Sequence, residues 1–221
     1  MPKLREQSEI QIPFENFHLE GELIVPTDAS GVVLFAHGSG SSRHSPRNQF
    51  VARSLHQYGV GTLLFDLLTE PEETKDRYTG HLRFDINLLA RRLLGATYWL
   101  HEQRPEMSIG YFGSSTGGGA ALVAEANSEV PIRAIVSRGG RPDLAGPALP
   151  KVKAPTLLIV GGEDTIVIEM NKSALTQMTC PNELRIIPGA SHLFEEPGTL
   201  EQVAELAAEW FVRQFGGRER R

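Results

Sequence analysis

The sequence predicts an α/β fold: a mostly parallel sheet covered by helices on both faces. Three observations predict it. Short apolar, β-branched runs recur along the chain. Most are separated by longer stretches with helical spacing. The runs are apolar at successive positions, as strands buried on both faces must be. Strand, helix, strand in that order argues for parallel pairing with right-handed crossovers.

The elements follow in order. SEIQIPF from Ser8 and FHLEGELIVP from Phe17 alternate more, and Glu15-Asn16 between them suits a turn, so an antiparallel hairpin edge is expected. GVVLFAHG from Gly31 is the first fully apolar strand, and a helix is expected from Pro46 to Tyr58. VGTLLFDLL from Val60 is the next strand. A long helix is expected from His81 to His101, with Leu82, Ile86, Leu89, Leu93 and Tyr98 near one face. MSIGYFG from Met107 is a strand, and a Gly-rich start leads into the helix AALVAEAN after Gly119. IRAIVSRGG from Ile132 and TLLIVGG from Thr156 are strands. The Pro/Gly-rich stretch between them, Gly139 to Pro155, is expected to be a surface connection. ELRIIPG from Glu183 is the last strand, and the last helix runs from Leu200 to about Phe215, with Thr199 and Gln202 placed as a capping box. The basic tail GGRERR is expected to be a solvated terminus. Met170, Met178, Trp99 and Trp210 are expected to pack in the core.

Composition bounds the function. The chain has 221 residues, which suits one domain over 1–221. Hydrophobic residues are 40% and charged residues 22%, which excludes a disordered chain. Lys plus Arg is 22 and Asp plus Glu is 27, so the net charge is −5. That balance argues against nucleic acid or an anionic membrane as partner. The single cysteine, Cys180, cannot form an internal disulfide and fits a reducing compartment. MPKLREQSEI places charges where a signal peptide carries an apolar run, and no apolar stretch approaches the ~20 residues of a membrane span. A cytoplasmic protein is expected.

In open parallel sheets the functional groups lie beyond the carboxyl ends of the strands. After MSIGYFG comes Gly113-Ser114-Ser115-Thr116-Gly117, a Gly-x-Ser-x-Gly pattern. The pattern alone is weak; between a strand and a helix it becomes specific. A serine held on so tight a turn needs small neighbours two residues either side. Its hydroxyl is a feeble nucleophile until a base takes the proton. His192 follows the last strand and supplies the base. Asp164, after TLLIVGG, supplies the carboxylate that orients it, with Glu163 as the alternative. An oxyanion would be held by the N–H groups of Thr116 and of Ser39, which follows His37-Gly38 at a strand end. Arg138, Arg141 and Arg43 fall on the same side and are candidates to hold a substrate carboxylate or phosphate, as is Arg47. Arg83 is expected to pair with Asp85 or Asp66. No His-Glu-x-x-His, dinucleotide loop or Walker-type lysine is present, so no metal and no nucleotide cofactor is expected.

The chain resembles the α/β-hydrolases, and among them the small dienelactone-hydrolase-like proteins. The motifs are HGSGSS from His37, GYFGSSTGGG from Gly110, GGEDT from Gly161 and GASHLF from Gly189. The resemblance implies an eight-stranded, mostly parallel sheet, a catalytic triad, and no cofactor. Dienelactone hydrolase itself uses a cysteine nucleophile; Ser115 stands here, which favours an esterase-type serine mechanism. The gap from Ile132 to Thr156 leaves no room for a large cap, so a shallow, open site is expected. The expected substrate is a small ester, thioester or lactone, with an anionic group if the arginines recognise one. A non-catalytic binding module, or an acyltransferase or peptidase using the same triad, are the alternatives. An exposed sheet edge offers a route to a homodimer.

Overall fold

The computed structural model describes residues 4–216. In chain order its strands are β1 (Leu4–Phe14), β2 (Phe17–Pro26), β3 (Gly31–Ala36), β4 (Gly61–Phe65), β5 (Ser108–Ser114), β6 (Ile132–Arg138), β7 (Thr156–Gly161) and β8 (Asn182–Ile187). Its helices are α1 (Pro46–Gln57), α2 (Glu70–Thr79), α3 (Ile86–Gln103), α4 (Thr116–Ala126), α5 (Thr165–Leu175) and α6 (Thr199–Gln214). The strands form one sheet in the order β1-β2-β4-β3-β5-β6-β7-β8. Pairing is antiparallel for β1–β2 and β2–β4 and parallel elsewhere.

The sheet separates two apolar layers, and successive strand residues go to opposite layers. Val32, Leu34 and Ala36 join Leu63, Ile109 and Tyr111 under Leu89 and Leu93 of α3 and Ala120 and Ala121 of α4. Val33 and Phe35 join Leu64, Phe112 and Val136 under Val51 and Leu55 of α1 and Phe211 of α6. This double coverage is why these strands carry no polar alternation. The two margins differ. β1 carries Glu6, Glu9 and Pro13, and β8 carries Glu183 and Arg185, paired at 2.9 Å. Arg213 of α6 also reaches Glu183, at 3.3 Å.

Five local expectations are corrected. The helix expected from His81 to His101 starts later: Asp85 caps α3 through Leu88 N at 2.9 Å, and Leu82–Phe84 before it is a 3₁₀ turn. Asp76 organises that turn, accepting from Leu82 N at 2.6 Å and from Arg83 Nε at 2.6 Å. Arg83 therefore pairs with Asp76, not with Asp85 or Asp66. The capping box is at the start of α2, where Thr69 and Glu72 bond each other's backbone. At α6 the cap is Gly198 in the left-handed region, and the Thr199 hydroxyl donates to Glu196 O at 2.7 Å. The stretch after β6 is partly regular: Pro142–Lys151 forms 3₁₀ turns kinked at Gly146, with Ala145 and Leu149 buried. Met178 and Trp210 are buried and Trp99 packs partly, whereas Met170 lines a groove between this segment and α5. The tail Gly217–Arg221 lies outside the described residues. Among the described residues no helix is long and apolar enough to cross a membrane. Cys180 is buried and free.

His56 of α1 sets a pH dependence. Its Nε2 bonds the Thr62 hydroxyl at 2.7 Å within the fold. Burial, helped by Arg53, depresses its pKa from 6.5 to about 4. A histidine held neutral contributes stability that is complete above its unfolded pKa and is lost as pH falls from 6.5 towards 4. The expected size is about 2 kcal/mol. Urea unfolding at pH 7.5 and pH ~4.5 checks it: His56→Gln should shrink the stability difference between the two pH values. An unchanged difference would refute the assignment.

Candidate active site

Ser115 sits between β5 and α4 with φ 51° and ψ −120°. A non-glycine residue there is strained by about 1–3 kcal/mol and is held by its surroundings. The holders are visible. Ser115 N donates to Arg138 O at 3.3 Å, and Ser115 O accepts from Gly118 N and Arg141 N, both at 3.0 Å. The flanking glycines are obligatory. A Cβ on Gly113 would lie 2.5 Å from Gly117 O, and one on Gly117 would lie 2.0 Å from Ala36 O. The turn leaves Ser115 partly exposed, and its hydroxyl makes no hydrogen bond among the described residues.

His192 lies in the connection from β8 to α6. Buried Ala190 and Phe194 anchor that connection, and Glu196 accepts from Ser191 N at 3.0 Å. His192 Nδ1 bonds Asp164 Oδ2 at 2.6 Å. The bond goes to Asp164 and not to Glu163, which is exposed. A carboxylate on Nδ1 fixes the proton there and leaves Nε2 free to accept. The ring rests on Gly139: a Cβ added there would come within 3.5 Å of Cε1 and Nδ1. Gly139 follows Arg138, whose carbonyl holds Ser115 N. The imidazole is thus packed over the end of β6, the strand that pairs with β5, whose end bears Ser115.

The loop after β3 closes on the same point. A Cβ on Gly38 would lie 3.1 Å from Ser115 Cβ. Gly38 O accepts from Ser41 N at 3.2 Å, and Gly40 takes φ 69°, which makes Gly38–Ser41 a tight turn with Ser39 at its crest. Thr116 opens α4, so its N–H has no acceptor within the helix. His37 anchors the turn, a role the sequence reading did not give it. Its Nε2 faces Leu67 N at 3.0 Å and must accept; its Nδ1, 3.0 Å from Gly38 O, must then carry the proton. Burial pushes its pKa down, against the opposing pull of Gly38 O, Asp66 and Glu73. That neutral tautomer is the form this bonding needs.

The candidate arginines separate. Arg43 is engaged by Asp66 through its backbone N–H, at 2.7 Å, and through an ion pair. Arg141 forms a two-pronged pair with Asp143, at 2.9 and 2.7 Å. Both guanidinium groups are thus already paired with the protein's own acids. Arg138 is buried, and its Nε and Nη1 have no partner. Among the described residues no group of three or more His, Cys, Asp or Glu side chains is gathered as a metal site requires.

The dienelactone hydrolase family model matches residues 23–215. The chain belongs to the dienelactone hydrolase family. Within that family it is similar to a crystal structure of a dienelactone hydrolase from Anabaena variabilis, with 58% identity, 95% of this chain and 98% of that one covered, and a TM-score of 0.92. The fold is also shared with an α/β serine hydrolase without a lid from Xanthomonas campestris, at 21% identity, 97% coverage of both chains and a TM-score of 0.75. Two curated proteins of Mycobacterium tuberculosis strains, named "Putative phosphoribosyl transferase", are 55% identical over 218 residues, covering 98% of this chain and 48% of their own length. The chain thus spans about half the length of the curated relatives it matches. This dienelactone hydrolase family member carries Ser115 at the elbow where the sequence resemblance led to a contrast with cysteine.

Proposed function

We propose that the chain is a serine hydrolase of small carboxylic esters, thioesters or lactones, working in the cytoplasm. The observation that carries the reading is the 2.6 Å bond from His192 Nδ1 to Asp164, made by an imidazole that rests on Gly139 at the end of β6, the strand next to β5, which leads into the strained Ser115 elbow. Ser115 Oγ attacks the carbonyl carbon, and His192 Nε2 takes its proton. Asp164 holds the ring in the accepting tautomer and stabilises the imidazolium that forms. The N–H groups of Thr116 and Ser39 receive the developing oxyanion, each donor lowering the barrier by about 3 kcal/mol. His192 then protonates the leaving oxygen or sulfur, leaving an acyl-enzyme. Water, deprotonated by the same imidazole, releases the acid and restores the serine.

The transferase name of the curated relatives belongs to proteins about twice as long as this match. We assign the hydrolase chemistry to the half that this chain represents. The test is labelling with a fluorophosphonate, followed by turnover of a panel of p-nitrophenyl esters and lactones. One adduct on the peptide bearing Ser115, with turnover that it abolishes, is expected. Folded protein that takes no adduct and turns over nothing refutes the reading. An alcohol acceptor diverting the acyl group from water would mark a transferase on the same triad.

A further inference from the structure

We propose that Asn171 of α5 is a positioning residue for the triad. Its buried amide clamps the arm formed by residues 139–141, on which both the His192 ring and the Ser115 backbone rest. The effect on a reaction rests on the hydrolase reading; the clamp itself does not.

The arm follows β6, and each of its residues meets a different part of the site. Gly139, at φ 51°, donates to Ile159 O at 2.7 Å, and a Cβ added to it would come within 3.5 Å of Cε1 and Nδ1 of His192. Gly140 packs on the first turn of α4: a Cβ on Gly118 would lie 3.0 Å from Gly140 Cα. Arg141 N donates to Ser115 O at 3.0 Å. A shift of the arm therefore moves the bed of the base and a holder of the nucleophile together.

The middle carbonyl of the arm is held from α5. Asn171 is 0% exposed, and its Nδ2 donates to Gly140 O at 3.0 Å and to Val167 O at 2.8 Å. Both amide hydrogens are thus used, one within the helix and one across to the arm. Asp164 is the N-cap of α5, and Asn171 lies about two turns further on, so the two share a face of the helix. Asp164 O accepts from Ile168 N at 2.9 Å, which ties the cap to the first turn. α5 is then a strut. It carries the orienting carboxylate at its head and, roughly 10 Å along its axis, grips the bed of the imidazole. One side chain links the elements that bear Ser115, Asp164 and His192.

Helix stability alone does not select asparagine here. It is a poor helix former, and Asn171 Oδ1 is buried with no hydrogen-bond partner among the described residues. The other buried residues of α5, Val167, Ile168 and Ala174, are apolar. A leucine would suit that interior without stranding a side-chain acceptor. Local conflicts of this kind collect where a side chain serves a site. What the amide gains is the bond to Gly140, and through it a fixed arm. Fixed geometry matters because a misplacement of about 1 Å can cost on the order of 100-fold in rate.

The experiment compares Asn171→Leu and Asn171→Ser with the native protein and with Ala174→Gly. Leucine removes both donors at similar size. Serine can still bond Val167 O within the helix but is too short to reach Gly140 O. Ala174→Gly weakens the same helix, removes no bond to the arm, and is expected to melt about 3 °C lower than the native protein. Turnover of a p-nitrophenyl ester is measured well below every melting temperature. Both Asn171 variants are expected to lose about 10- to 100-fold in kcat with KM within about threefold, while Ala174→Gly keeps the native kcat. The far-downfield proton resonance of His192 Nδ1–H, held by Asp164, is read without substrate. It should shift or broaden in the Asn171 variants alone. A loss of kcat with that resonance unchanged supports the clamp and assigns its effect to the Ser115 side of the arm. Should the leucine variant fold poorly, the serine variant decides. The positioning role is overturned if the Asn171 variants keep the native kcat, or if Ala174→Gly loses as much as they do. Absence of ester turnover by the native protein would count against the hydrolase reading alone. The resonance would then decide the clamp, and an unchanged signal in the Asn171 variants would overturn it.

Discussion

Replacing Ser115 by glycine is expected to abolish ester hydrolysis and to raise the melting temperature. Loss of a triad nucleophile costs about 10⁶-fold in kcat. The gain in stability comes from the backbone. Serine is held at φ 51° and ψ −120° by bonds to Arg138, Gly118 and Arg141, a conformation glycine adopts freely. Relief of about 1 kcal/mol corresponds to roughly 2–4 °C for a domain of this size. Ser115→Ala separates the two effects: it loses the hydroxyl and keeps the Cβ, so activity falls equally while the melting temperature stays near that of the native protein. Steady-state kinetics and a thermal melt on the three proteins check both. A glycine variant no more stable than the alanine variant would show that the turn stores no strain.

Asp164→Asn is expected to lower kcat by about 10⁴-fold with little change in KM. The carboxylate accepts the Nδ1 proton of His192 at 2.6 Å. An amide at that place presents N–H to the ring, drives the proton to Nε2 and removes the base that Ser115 needs. The neighbour supplies the control. Glu163 is exposed and is not the imidazole's partner, so Glu163→Gln should leave kcat within a few-fold. Parallel kinetics on a p-nitrophenyl ester distinguish them. Equal losses in both variants would show that either carboxylate can serve, and that the assignment to Asp164 is wrong.

What could be read in advance depended on how local the physics was. Strands buried on two faces announce themselves as unbroken apolar runs, so β3 to β7 and the antiparallel margin were legible. So were the places of Ser115, Asp164 and His192, each beyond the end of its own strand, in that order along the chain. α2 escaped because its only buried residue is Asp76, a polar one, and no apolar stripe marks it. The start of α3 was misplaced because the role of Asp85 as a cap shows only in the hydrogen bond to Leu88. Arginine partners were the least legible. Whether Arg141 meets Asp143 two residues on, or Arg43 meets Asp66 twenty-three away, is settled by rotamers and loop paths. Spacing gave no reason to single out Arg138 as the one of the three left without an acid.

The charged margins of the sheet bear on how the molecule behaves among its own copies. An outermost strand with free N–H and C=O groups invites another chain to zip onto it, and that is how ordered aggregates begin. Here one border carries glutamates and a proline that breaks the donor row, and the other carries a crosslinked cluster of Glu183, Arg185 and Arg213. A second molecule aligned along either border would bring like charges together and strip water from ion pairs. These charges and the proline work against strand-by-strand growth at both borders.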